Sequence, residues 1–387
     1  MPPVLRIMAK QISHFIQNML KKLLIFLVSI AFLSSVSAQD PVFSQFYANK
    51  MYLNPAFTGF HLGTVVNINY RRQWAGVREG YSKFETKSVG ISTILPCYHS
   101  GFGLTYNEAT KGEGFLKSQS AGFSYAYHYV NDNDRHNTSQ LSLGFRTSYN
   151  WRSVNWENFV FGDQLVAMQG IVGPSQYTPP ASMISQSKNY WDLDAGLVYM
   201  TEKWKVKRKV LAEDLRMGLA FSHLIKNNTS LLGYKEYLPI RYTAHISWLN
   251  ELTNTQDAKH SVYLNPTARF DFQKASYSAA ANSYMTISYG IGIMTPTLYG
   301  GFYLQNRNVI PERYNTSSLV AQLGYGWDTD NMFINFGMSK DFNLTGFSNY
   351  GGGAWEMSLI INPKNAMFCD PNSTSYKRRM QRQCKSM

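Results

Sequence analysis

The chain has 387 residues, of which 44% are hydrophobic, 15% aromatic and 16% charged, and its formal net charge is +13. This many aliphatic and aromatic residues can bury a large core, which excludes a disordered chain. A negative mean hydropathy excludes a bundle of membrane helices, because each helix needs about 20 apolar residues. The positive charge indicates a nucleic-acid or anionic partner only if it is concentrated on one face.

Residues 1–38 have the pattern of a secretory signal peptide. Lys21 and Lys22 precede an apolar run at 23–33, and small residues ending at Ala38 fit a cleavage site. The apolar run is too short to span about 30 Å of hydrocarbon, and polar residues follow it at once. We therefore expect this segment to be removed when the chain is exported.

After residue 38, apolar and polar residues alternate along almost the whole chain, as at 285–293 and 332–338. Successive side chains of a strand point to opposite faces, so each segment has one apolar and one polar face. A soluble β-sandwich would show the same alternation. Export, unusually long strands and tryptophans near the strand ends favour an all-β, transmembrane antiparallel β-barrel instead. These tryptophans are Trp74, Trp151, Trp156, Trp191, Trp204, Trp327 and Trp355.

The alternation predicts about 14 strands, an even number as in bacterial single-chain barrels. They lie at 62–74, 83–95, 101–109, 115–130, 138–154, 190–206, 214–225, 238–252, 259–274, 284–295, 298–308, 317–328, 331–345 and 353–362. With both termini in the periplasm, the short connections become periplasmic turns and the long ones external loops, of which 155–189 is the longest. Outer-membrane lipid is the expected surrounding of this barrel.

The segment 39–61 is too aromatic for a free tail, and the barrel lumen is the available place to bury it. It is predicted to plug the lumen. The chain then divides into a signal peptide at 1–38, a plug at 39–61, a barrel at 62–362 and a basic periplasmic tail at 363–387.

The charge lies mostly outside the barrel wall. Residues 1–38 hold four basic and no acidic side chains, and 363–387 hold six basic against one acidic, which leaves +4 for the rest. This distribution argues against nucleic-acid binding. Candidate periplasmic contacts are the basic residues of one predicted turn and of the tail: Lys203, Lys205, Lys207, Arg208, Lys209, Arg378 and Arg379.

No sequence pattern indicates catalysis, a metal site or a cofactor. The chain lacks a phosphate-binding loop, a nucleophile elbow and paired cysteine or histidine ligands. We therefore expect a protein that is not an enzyme, with scattered histidines that belong to the lumen or to interfaces. Of its three cysteines, Cys97 in a predicted periplasmic turn is expected to approach Cys369 and form a disulfide.

Two stretches carry a family resemblance. They contain Asp40, Pro41, Phe43, Ser44, Gln45, Tyr47, Asn49, Leu53, Asn54, Pro55, Ala56, Phe57 and Gly59, followed by Tyr70, Arg71, Gln73 and Trp74. This pattern resembles the opening signature of the PorP/SprF family. The resemblance implies an outer-membrane component of type IX secretion and gliding machinery, which receives the C-terminal domain of a secreted adhesin or enzyme and anchors it at the cell surface.

The resemblance also implies a periplasmic ring lipoprotein as a partner, and peptidoglycan is a second candidate for the basic periplasmic residues. Cargo is expected to dock on the longest external loop, whose aromatic side chains are candidate anchors. They are Trp156, Phe159, Phe161 and Tyr177. The alternative function is a FadL-like channel for small apolar solutes.

Overall fold

The computed structural model describes residues 40–61, 63–74, 83–95, 98–112, 116–134, 137–154, 165–166, 170–171, 187–206, 209–231, 235–252, 261–274, 283–310, 315–345 and 352–363. Among them, no helix has the length and apolar character needed to cross a membrane. The helical elements within these residues are α1, Lys50–Leu53, and a 3₁₀ helix, Pro55–Phe57.

Fourteen antiparallel strands close into a barrel, which confirms the predicted fold class. The strands are β1 Thr64–Gln73, β2 Lys83–Leu95, β3 Ser100–Gly112, β4 Leu116–Asp134, β5 Asn137–Ser153, β8 Ser187–Val206, β9 Lys209–Ser222, β10 Arg241–Glu251, β11 Tyr263–Lys274, β12 Ser283–Met294, β13 Leu298–Ile310, β14 Asn315–Asp328, β15 Met332–Asn343 and β16 Ala354–Pro363. Each predicted strand overlaps one of these. The remaining strands, β6 Leu165–Val166 and β7 Gly170–Ile171, form a separate two-stranded sheet within the predicted longest loop.

The barrel wall has its polar side inside. On β1, Asn67, Asn69 and Arg71 are buried, whereas Ile68 on the opposite face is 39% exposed. The same inversion recurs around the wall: the exposed apolar residues include Leu104, Phe123, Leu143, Phe145, Leu219, Ile291, Phe302, Leu323 and Phe336. A soluble sandwich would bury these side chains, so the outer face suits lipid and the inner face encloses a polar lumen.

The two ends of the barrel differ in the length of their connections. At the end where β1 begins and β16 ends, most neighbouring strands are joined by two to four residues, as between β12 and β13. We call this the turn end. At the opposite end, here the loop end, β5 is joined to β8 by the long stretch that contains β6 and β7, and β9 is joined to β10 by residues 223–240.

The basic residues 203–209 span the end of β8 and the start of β9. Lys203 and Lys205 lie on β8, which ends at Val206 as the predicted strand does, but β9 begins at Lys209 rather than at the predicted residue 214. β8 also extends past its last pairing with β5, at Thr201. The basic residues therefore lie in a hairpin of β8 and β9 that continues beyond β5. Pairing between β8 and β9 outweighs the polar composition, which resembles that of a turn.

Candidate functional site: the N-terminal segment inside the barrel

Residues 40–61, here the lumenal segment, run along the interior of the barrel from the loop end to the turn end. Asp40 contacts Arg241, the first residue of β10, at the loop end. The backbone oxygen of Thr58 accepts a hydrogen bond from His128 of β4 in the turn-end half. The first described residue therefore lies at the end opposite to the start of β1.

The lumenal segment is tied to the closure of the barrel through Ser44 and Gln45. The amide nitrogens of these two residues donate to the carboxylate of Glu356, at 2.7 and 3.0 Å. The hydroxyl of Ser44 donates to Asp341 at 2.8 Å and accepts from Arg71 at 2.6 Å. β1, β15 and β16, which carry these three ionisable residues, meet where the first and last strands pair.

Arg71, Asp341, Glu356 and Ser44 form what we call the seam cluster. The guanidinium of Arg71 lies 2.7 Å from Asp341 and 3.0 Å from Glu356, and both side-chain pairs are almost fully buried. Buried charges are stable only when they are paired and hydrogen-bonded. Here Ser44 and Gln45 complete the hydrogen bonds of the buried carboxylates. The seam cluster therefore makes the lumenal segment part of the wall's own charge balance.

A second group of charges, here the loop-end cluster, holds the start of the segment. The carboxylate of Asp40 lies 2.7 Å from Nε2 of His223 and 2.8 Å from Arg241, while Nδ1 of His223 contacts Asp192. Burial raises the pKa of Asp40, but the positive His223 and Arg241 outweigh it and lower that pKa overall. Burial opposes protonation of His223, but Asp40 and Asp192 raise its pKa to about 10.

Raising the pH from 6.5 to 10 is expected to loosen the start of the segment. A group whose pKa is raised by folding stabilises the folded state fully at pH values below its unfolded pKa, which is near 6.5 for His223. This contribution to stability is lost as the pH rises past the folded pKa of about 10. Protease cleavage within residues 40–61 of the folded barrel should accelerate across this window. His223→Gln should be cleaved faster at pH 6.5 and lack this acceleration; an unchanged pH profile in the variant would contradict the assignment.

The Asn54-Pro55-Ala56 turn packs directly against the backbone of the wall. The amide of Asn54 donates to the backbone oxygens of Leu197 and Leu219, at 3.1 and 3.0 Å. A Cβ at Gly144 would overlap the backbone of Pro55 and Ala56, and one at Gly196 would overlap the Asn54 side chain. Inward-facing glycines thus allow the close approach that the turn needs.

Apolar side chains of the segment form a small core within the otherwise polar lumen. Phe46 contributes to it and also packs beside Tyr47, with their ring centroids 4.7 Å apart. The cluster consists of Phe46, Leu53, Ala56, Phe57 and Phe60 from the segment and Val198 and Met200 from β8. Phe43 packs edge-on against Tyr52 nearer the loop end, and the Tyr52 hydroxyl donates to the backbone oxygen of Pro41. These contacts bury the aromatic residues on which the plug prediction depended.

The sequence of this barrel matches one family model over most of its length. The model of the family "Type IX secretion system membrane protein PorP/SprF" matches residues 35–361. The chain belongs to the PorP/SprF family. The match covers the lumenal segment and all but the last two residues of the fourteen strands, and the fold is that of an outer-membrane barrel.

Several solved barrels are similar in structure at low identity. The Ralstonia pickettii toluene transporter TbuX has 12% identity and a TM-score of 0.39, covering 87% of this chain and 97% of that one. The CymD monoaromatic hydrocarbon channel has 13% identity and a TM-score of 0.48, with 82% and 92% covered. A FadL homologue of Pseudomonas aeruginosa has 11% identity and a TM-score of 0.37, with 80% and 92% covered. Among curated proteins, no sequence matches this chain.

The first-strand motif of this PorP/SprF barrel does not act as one unit. Arg71 points into the lumen, whereas the hydroxyl of Tyr70 donates to Glu85 at 3.2 Å on the other face. Gln73 ends β1 opposite Ala354. Trp74 follows with a positive φ of 54° and donates its amide to the backbone oxygen of Gly353 at 2.7 Å. Arg71 of this motif donates a hydrogen bond to the lumenal segment.

Some candidate residues lie outside the described part of the chain. They are Trp156, Phe159, Phe161, Tyr177, Lys207, Arg208, Arg378, Arg379, Cys97 and Cys369. The cargo loop, the tail and the disulfide therefore remain predictions.

Sequence reasoning missed the charged residues near the start of the lumenal segment, two on β8 and one directly after β9. Asp192, Asp194 and His223 have ligand atoms within 4.8 Å of one another, a spacing that would suit a metal ion. Ion pairs account for the grouping, because Arg146 pairs with Asp194 and both ring nitrogens of His223 contact carboxylates. A histidine that donates from both nitrogens has no lone pair for a metal. The available signal was charge at inward positions of alternating strands.

Proposed function

We propose that this barrel is the outer-membrane component of a type IX machinery that receives the C-terminal domain of a secreted adhesin or enzyme and anchors it at the cell surface. Family membership supports the assignment to the secretion system. The observation that carries the anchoring role is the lumenal segment, which is bound to opposite parts of the wall through the seam and loop-end clusters. A barrel occupied by its own N-terminal segment is suited to holding a partner rather than to conducting solutes.

In this proposal the segment is a plug, the turn end faces the periplasm and the loop end faces the cell exterior. The basic hairpin that contains Lys203, Lys205 and Lys209, and the tail that contains Arg378 and Arg379, then point toward the cell interior. Their positive charge suits an acidic surface, for which a periplasmic ring lipoprotein or peptidoglycan is the proposed partner. The protein acts in binding and carries no catalytic role.

A channel for small apolar solutes is the second candidate. The observation in its favour is a cavity of about 270 Å³ beside the lumenal segment, with aromatic and aliphatic side chains in its lining. A channel requires a continuous path, however, and the segment crosses the lumen between the two ends. Solute conduction by the unmodified barrel would favour this second function over anchoring.

Cargo capture is expected to depend on the loop at 155–189. Aromatic side chains dominate binding energy at protein interfaces, so replacing Trp156, Phe159, Phe161 and Tyr177 by alanine should reduce cargo recovery at least tenfold. The measurement is affinity purification of the barrel from native membranes, with quantitative mass spectrometry of co-purified secreted proteins. The expected product is a protein recovered through its C-terminal domain.

The matched control changes an aromatic residue of another loop-end connection. Tyr237 lies between β9 and β10, and Tyr237→Ala should leave recovery unchanged while testing for general damage to that end of the barrel. Failure of the unmodified barrel to recover any secreted C-terminal domain would refute the anchoring role. Equal losses in both variants would refute the choice of 155–189 as the docking loop.

A further inference from the structure

A cavity of about 270 Å³ lies between the lumenal segment and the wall, in the turn-end half of the barrel. Its wall residues come from the halves of the strands nearest the turns, as with Asn265 of β11, Phe333 of β15 and Asn362 of β16. The lumenal segment forms its other side. This volume is near the lower limit of small-molecule sites and suits a compact ligand rather than a folded partner.

The described lining of the cavity combines aromatic side chains with basic ones and has no acidic side chain. Its aromatic members are Phe46, Tyr47, Phe57, Tyr299, Tyr303 and Phe333. Its side chains that can carry a positive charge are Lys50, His61 and Arg216, and none of the described lining residues is an aspartate or a glutamate. A ligand with an apolar, aromatic body and one negative group would match both properties.

Lys50 has no acidic partner among the described residues. Its Nζ lies 2.6 Å from Nε2 of His61, and its ammonium forms no ion pair with a carboxylate of the described residues. Arg216, by contrast, is already paired with Asp214. Elsewhere in the described lumen, buried cations such as Arg71, Arg146 and Arg241 contact acidic side chains.

The surroundings of Lys50 make its positive charge costly. Burial lowers the pKa of Lys50 to about 7, and the nearby positive Arg216 adds to this effect while Asp214 opposes it. Burial and the neighbouring Lys50 and Arg216 hold the pKa of His61 well below its usual value. An anion beside Lys50 would supply the direct ion pair that no carboxylate of the described residues makes with it.

We propose that this cavity binds an amphipathic carboxylate, with the carboxylate at Lys50 and the apolar body among the aromatic side chains. Two sources share this chemistry: a small organic acid and the free C-terminus of a peptide with apolar last residues. The inference does not rest on the secretion role, because it depends only on the cavity and its charges. It also gives the turn-end half of the lumen a function other than enclosing the segment.

The test uses the full barrel in lipid nanodiscs and isothermal titration calorimetry, with empty nanodiscs to subtract partition into lipid. One pair of probes is 4-phenylbutyrate and uncharged 4-phenylbutanol; the other is N-acetyl-leucyl-phenylalanine with a free and with an amidated C-terminus. At pH 6 at least one carboxylate should bind ten times more tightly than its uncharged counterpart. The pair that shows the difference identifies the source.

Variants separate charge from packing. Lys50→Met should abolish the preference for the carboxylate, Lys50→Arg should keep it, and the exposed control Lys226→Met should match the unmodified barrel. Binding of the carboxylate should weaken as the pH rises past about 7 in barrels that carry Lys50 and not in the Lys50 variants. His61, Arg216 and Asp214 are present in every variant, so their titration would change binding equally in all of them. Equal affinity for charged and uncharged probes, or an unchanged preference in a folded Lys50→Met barrel, would overturn the proposal.

Discussion

Arg71→Met is expected to destabilise the folded barrel by about 3–5 kcal/mol, because it leaves the buried carboxylates of Asp341 and Glu356 without their cation. Unfolding in urea, followed by the gel mobility of folded and unfolded barrel, measures the loss. Lys87→Met is the matched control. Lys87 pairs with Glu108 across 3.4 Å with a side chain that is 52% exposed, so its loss should cost at most about 1 kcal/mol.

A compensating variant identifies the cause of the destabilisation. Adding Asp341→Asn and Glu356→Gln to Arg71→Met removes both unpaired charges while keeping side chains of similar shape. This triple variant should recover most of the lost stability. If it is no more stable than Arg71→Met alone, packing of the arginine rather than charge balance accounts for the effect.

Gly144→Ala is expected to open the lumen while the wall stays folded. The new methyl group would overlap the backbone of Pro55 and Ala56, and overpacking of this kind typically costs about 1–3 kcal/mol. Displacing the turn relieves the overlap and takes the amide of Asn54 away from the wall. Recordings of single channels in planar bilayers should show a closed unmodified barrel and a conducting variant.

Gly292→Ala is the control for this opening. Gly292 also faces the lumen, but its added Cβ would meet first the hydroxyl of Tyr303 at 3.0 Å, at the end of a side chain that can move. This variant should stay closed. Conduction by the unmodified barrel, or equal conduction by both variants, would show that the lumenal segment does not seal the pore.

Much of the wall was predictable because its signal is local. Alternation over 285–293 and 332–338 is repeated on every strand, so the strand count required no knowledge of distant contacts. The inversion of polarity was predictable as well, since long strands with aromatic ends fit lipid better than water. The start of β9 was predicted five residues too late, because residues 209–213 resemble a turn in composition and their pairing is set by the neighbouring strand.

The contacts between the lumenal segment and the barrel wall were less predictable. The burial of Phe43 and Phe46 followed from their aromatic character, but the partner of Asp40 did not. His223 lies 183 positions along the chain from Asp40, and nothing in the local sequence links the two. Such pairs depend on how the strands close and on the direction of the segment, which alternation does not encode.

The seam cluster also bears on the order in which the barrel forms. Ser44 binds Glu356 across 312 positions of sequence, so this contact cannot form until the last strand has been synthesised. Closure of β1 on β16 and capture of Ser44 therefore both wait for β16, and the segment's own amides then hydrogen-bond to the buried carboxylate of Glu356 at the junction. The N-terminal segment would therefore stabilise the closed barrel only when its first and last strands are both in place.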